Sequence, residues 1–135
     1  MTPFAALCAL AGLSQHEAGD LCGVRHDSAR QWATGRRNAP AGALDTLRAL
    51  IARQERAARE AVSQIARLSK SHGAPDVIEL GYPADDHEAQ SLGWPCVGAW
   101  SAMAARVIAA APAKIVLVPR GSTPGTAAAA DAHGR

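Results

Sequence analysis

A serine and a glutamate three residues apart, Ser14 and Glu17, constrain this 135-residue chain more than any other pair. At that spacing the serine hydroxyl accepts from an early backbone N–H while the carboxylate reaches back to the cap, satisfying two of the donors that a helix start leaves open. A helix therefore begins at Gln15. Ala18, Leu21 and Cys22 follow at helical spacing, Gly19 lets a neighbouring helix come close, and Gly23 supplies the positive φ that ends the helix. Val24 then plugs a tight turn. Ala29 and Trp32 give the next helix one apolar stripe that must face inward, and Gly35 closes it. The stretch Leu13 to Arg37 thus reads as two short helices joined by one turn.

Opposite that stripe lie His26, Asp27, Arg30, Gln31 and Thr34. Arginine, glutamine and aspartate in such positions match guanine, adenine and the cytosine amino group at base edges. Arg36 and Arg37, just past the helix, sit where phosphates would pass. In a plainer reading, Asp27 and Arg30 are an ordinary i, i+3 surface pair worth little. The capping box, glycine turn, inward tryptophan and trailing arginines together favour a nucleic-acid surface. Trp32 itself belongs to the core by register.

The residues LSQ, the Glu17 cap, LCGV, the tryptophan and GRR resemble the helix-turn-helix of Cro and CI-type phage repressors, over roughly Pro3 to Ile51. That resemblance implies that Gln15 opens the first helix against a phosphate. It makes His26, Asp27, Arg30 and Gln31 the base readers, with Ser28 near the DNA backbone. Arg25 departs from the pattern, which has a capping serine or threonine there; an arginine cannot cap, and it is grouped with the phosphate contacts.

Elsewhere the chain reads as mainly α with a small α+β end. Thr2 and Pro3 start a first helix, with Phe4, Leu7 and Cys8 on one face, that ends near Gly12. Pro40 restarts the chain after a loop, and Leu44, Leu47, Leu50 and Ile51 form an inward stripe. The three-and-four spacing continues through Gln54, Ala58, Ala61, Ile65 and Leu68, a weak heptad-like series that predicts one long or slightly bent helix to about Ser71, stopped by Gly73 and Pro75. Val77, Ile78, Leu80 and Tyr82 then read as a strand, Pro83 to Leu92 as an acidic loop or one helical turn, and Val97 to Ile108 as a helix closed by Pro112. Ile115, Val116, Leu117 and Val118 form a second, almost wholly apolar strand. Two strands and a helix cannot bury both sheet faces, so an exposed edge calls for another chain. A homodimer is expected through Val77, Ile78, Leu80, Trp100 and Ile115 to Val118. The implied division is a DNA-binding domain at 1–52, a connecting helix at 53–73, a β-α-β dimerisation domain at 74–119 and a disordered tail at 120–135. This order, with the segment GWPCVGAW, resembles the anti-CRISPR-associated transcriptional regulators. That resemblance implies a homodimer on an inverted-repeat operator, repressing its own operon in a phage or mobile element.

The formal net charge is only +2, with the basic excess in the first 73 residues, so affinity for DNA would rest on a few placed arginines. Arginines between Arg48 and Arg67 read as the wet face of a helix rather than a phosphate track. Cys8, Cys22 and Cys96 lack metal or disulfide spacing, and His16, His26, His72, His87 and His133 form no metal pair. No metal or cofactor is expected. Asp85, Asp86, His87 and Glu88 read as turn residues without a nucleophile, which argues against an enzyme. Cys96 near a helix start is a candidate for a lowered thiol pKa, with burial the commoner fate. Met1 to Leu13 lacks a basic leader region, and no apolar run approaches the ~20 residues of a membrane helix. A soluble cytoplasmic protein is expected, with double-stranded DNA and a second copy as partners. The alternatives are an RNA-binding regulator and an antitoxin with a cognate toxin.

Overall fold

A computed structural model describes residues 1–72 and 77–121, without the side chains of residues 71 and 72. The expected helix stop at Gly73 and Pro75 and the tail past Gly121 lie outside the described residues. The remainder is mainly helical with a small parallel sheet: α1 (Pro3–Ala11), α2 (Gln15–Cys22), α3 (His26–Thr34), α4 (Ala41–His72), β1 (Ile78–Tyr82), α5 (Asp86–Ser91), α6 (Val97–Ala110) and β2 (Ile115–Pro119).

Local chemistry sets the element ends. Thr2 Oγ1 caps α1 at the Ala5 N–H, with Pro3 at the start, and Gly12 (φ 77°) ends it while the Leu13 N–H returns to the Cys8 carbonyl. α4 meets no breaker and runs unbroken for 32 residues. Its buried positions Ala43, Leu47, Leu50, Ile51, Gln54, Ala58 and Ile65 form the spine on which the rest packs.

One core joins the two halves of the chain. Phe4, Cys8, Ala11, Leu13, Trp32 and Leu47 share it with Trp94, Cys96, Ala99, Trp100 and Ala104. α6 therefore lies on α4 and α1 and is no part of a separate dimerisation domain. Trp100, assigned above to the dimer surface, is 6% exposed; its helical register turns it into this core, and that assignment is corrected. The close approach depends on two glycines, since a Cβ on Gly12 or Gly98 would overlap the other's carbonyl.

Gln54, a weak place in the apolar series, is fully buried and ties three helices together. Its Nε2 donates to the Ala11 carbonyl at 2.9 Å and the Ala99 carbonyl at 3.0 Å, and its Oε1 accepts from Arg106 at 3.4 Å. The acidic stretch is likewise structural. Asp85 caps α5 through the Glu88 N–H, Asp86 accepts from the Val97 N–H at the start of α6, and Glu88 accepts from the Ala84 N–H and pairs with Arg120 at 3.4 Å.

β1 and β2 pair in parallel within the chain, Ile78 beside Ile115 and Leu80 beside Leu117, with α5 and α6 in the connection. Ile78, Leu80 and Ile115 pack on a second cluster of Ala58, Ile65 and Val107 from α4 and α6. These three side chains are thus engaged largely inside their own chain. Val77, Val116 and Leu117 are exposed, and Val118 is half-buried.

Candidate nucleic-acid interface

α2 begins at the double cap read from the sequence: the Glu17 N–H donates to Ser14 Oγ at 3.1 Å, and the Ser14 N–H donates to Glu17 Oε1 at 2.9 Å. At its far end Gly23 (φ 71°) turns the chain, its N–H reaching the Asp20 carbonyl and the Val24 N–H the Gly19 carbonyl. Gly19 is buried where α3 crosses. A Cβ there would lie 3.3 Å from that of Ala29. Ala18, Ala29 and Trp32 face the core, and Trp32 meets Phe4 edge to face with centroids 5.4 Å apart. The Thr2 hydroxyl, besides capping α1, lies 3.0 Å from the Trp32 carbonyl and 3.1 Å from that of Ala33, and so ties the end of α3 to α1.

With its apolar stripe held inward, α3 turns the expected side chains outward. Arg25, His26, Asp27 and Arg30 are exposed, as are Gln15 on α2 and Arg36 and Arg37 past Gly35; Ser28 and Gln31 are half-buried. Arg25 occupies the cap position of α3 and makes no side-chain cap bond. Arg30 Nη2 donates to Asp27 Oδ1 at 3.0 Å, and both side chains are more than 60% exposed. Gln31 Oε1 is buried without a hydrogen-bond partner. Such an acceptor costs about 1–3 kcal/mol until it is paired.

Two residues that the sequence reading left out complete this surface. Asp20 on α2 reaches across the turn to His26 Nε2 at 3.0 Å, and His16 stacks on the His26 ring at 4.1 Å with planes 10° apart. Their i, i+4 spacing on α2 was the available signal, since it places both on the edge beside α3. The centre of the surface is therefore charge-compensated. By contrast, Arg25, Arg36 and Arg37 have no ion-pair partner among the described residues.

Cys8 and Cys96 are buried and Cys22 is half-buried. Burial pushes the Cys8 thiol up to about 11, with the neighbouring Cys22 adding to the rise. Burial also raises Cys22 and Cys96. At Cys96, the cap residue of α6, burial outweighs the helix start, and the adjacent Glu17 carboxylate works in the same direction. Among the described residues no group of three or more histidine, cysteine or acidic side chains is arranged to hold a metal, and no helix is long and apolar enough to cross a membrane.

No protein-family model and no curated protein matches the chain.

Proposed function

We propose that the chain is a sequence-specific repressor of transcription that binds double-stranded DNA as a homodimer, with α2 and α3 as a helix-turn-helix and α3 in the major groove. One observation carries this reading: α3 buries Ala29 and Trp32 against the core, while its outward side chains are of the types that pair with bases and its two ends carry Arg25, Arg36 and Arg37, which have no ion-pair partner among the described residues. His26, Asp27, Arg30 and Gln31 read base edges. Gln31 gains most, since turning outward to an adenine pairs its stranded carbonyl oxygen. Gln15, Arg25, Ser28, Arg36 and Arg37 position the helix on phosphates. Two copies engage half-sites about 10 base pairs apart or a small multiple of that, and repression follows from occupying the promoter, first of all that of the chain's own operon.

The test is fluorescence anisotropy on the duplex upstream of its own gene, competed by an unrelated duplex and by a structured RNA across a salt series. Binding that survives the unrelated duplex is expected. Arg30→Ala should weaken the preferred duplex by about 1–3 kcal/mol, roughly 5- to 150-fold, and relax the choice at one base of each half-site. Equal loss to any duplex would refute sequence reading. Preferential loss to the RNA would make the chain an RNA-binding regulator.

A further inference from the structure

Among the described residues, the two-stranded sheet leaves β2 with one bare edge. In the parallel ladder the Ile78 N–H donates to the Lys114 carbonyl at 2.8 Å and the Arg120 N–H to the Tyr82 carbonyl at 2.9 Å. That register commits the backbone of Val116 and Val118 to β1 and points the N–H and C=O groups of Ile115 and Leu117 away from it. Along this edge Val116 and Leu117 are 36% and 43% exposed, and the run Ile115 to Val118 carries no charge. The opposite edge, on β1, is blunted by the exposed charge of Glu79.

We propose that a second copy of the chain docks on this edge, the two β2 strands running antiparallel about a twofold axis with Val116 facing Val116 of the other copy. Ile115 of each copy then lies opposite Leu117 of the other. Every edge N–H and C=O of these residues finds a partner, and the exposed Leu117 side chain is covered by an isoleucine on the same face. Charge and geometry select this register. Centring on Leu117 instead would set Lys114 against Arg120 of the other copy, and would place Pro119, which has no N–H, opposite the Ile115 carbonyl. Centring on Ile115 would recruit Ala113, which lies in the bend after Pro112. The result is a four-stranded sheet, β1-β2-β2-β1, shared by two chains. It supplies the dimer on which the repressor reading rests, yet it is measured without DNA, so the two can fail separately.

The experiment is light scattering on the full chain at micromolar concentration, with variants on the edge. Wild type should have twice the chain mass, and Val116→Lys, a change at an exposed position, should halve it while the helical circular dichroism is kept. Val116→Cys should become a covalent dimer on mild oxidation, because directly opposed residues of a non-hydrogen-bonded pair have Cα atoms about 4.5 Å apart, within disulfide reach. Leu117→Cys and the wild type, with its own Cys8, Cys22 and Cys96, should remain uncrosslinked. Crosslinking of Leu117→Cys in place of Val116→Cys would overturn the register. A monomeric wild type, or a Val116→Lys protein that stays dimeric, would overturn the proposal.

Discussion

Replacing Gln54 by methionine tests whether the two halves of the chain are held by a buried polar residue. The volume is nearly kept, so the cavity contribution is small and the loss comes from hydrogen bonds. Nε2 gives up the Ala11 carbonyl at 2.9 Å and the Ala99 carbonyl at 3.0 Å. Ala99 lies inside α6, whereas Ala11 is the last residue of α1, where no intrahelical donor reaches its carbonyl. A neutral hydrogen bond contributes about 1 kcal/mol and a stranded buried acceptor costs about 1–3 kcal/mol, so Gln54→Met should lose about 2–4 kcal/mol. Gln54→Glu keeps Arg106 beside one carboxylate oxygen but turns the other on two carbonyl oxygens, so it too should be less stable than wild type at neutral pH. Urea unfolding provides the assay, the midpoint moving at constant slope. A Gln54→Met protein within about 0.5 kcal/mol of wild type would refute the reasoning, since surface substitutions routinely stay inside that range.

Two glycines should respond in opposite directions. Gly98→Ala drives a Cβ into the Gly12 carbonyl and should cost about 1–3 kcal/mol. Gly42→Ala meets nothing within 4 Å on an exposed turn of α4 and should stabilise by about 0.4–1 kcal/mol; thermal or urea melts of the pair decide it. The Cys8 thiol, raised from 9.0 to about 11, makes the unfolded chain lose its proton first, so stability should fall as pH climbs from 9 to 11, by about 2–3 kcal/mol, and Cys8→Ser should flatten that slope in pH-dependent melts. Asp27→Ala should change stability by less than about 1 kcal/mol, since its pair with Arg30 is exposed. On the repressor reading its effect on DNA should be a rise in binding to unrelated duplexes and a smaller preference for the operator, read by anisotropy; an unchanged preference would refute a selectivity role for Asp27, whether exerted on a base or through Arg30.

The elements were legible because their signals are local. Ser14 with Glu17, Thr2 with Pro3, and the glycines at 12, 23 and 35 each specify a helix end through atoms a few residues apart, and α4 is long because nothing interrupts it. What joins the elements was not legible. Gln54 looks like a flaw in an apolar series because its partners lie 43 and 45 residues away. Gly98 looks like a poor helix former until Gly12 is set against it. The sequence suggests a domain boundary between 73 and 74, yet the spacing of Trp100 and Ala104 says only that α6 has an inward face, and that face joins the core of α1 and α4. Small and polar residues that spoil a periodic pattern are where a helical chain stores its tertiary partners, since close approach and buried polarity both require them.

The same limit governs the candidate site. Residue type proposes readers on the outward face of α3, but does not say which carboxylates would compensate them. Asp27 occupies Arg30 from within α3 and Asp20 occupies His26 from across the turn, whereas Arg25, Arg36 and Arg37 face solvent without a counter-charge among the described residues. On the repressor reading this division has a consequence. Phosphate contacts at the ends of α3 form without breaking any ion pair, whereas the reading contacts of His26 and Arg30 each replace one that already exists. A wrong base then forfeits the aspartate contact and returns nothing. The acids lower affinity for every duplex and raise the difference between duplexes, and that difference is the quantity a repressor with a net charge of only +2 depends on.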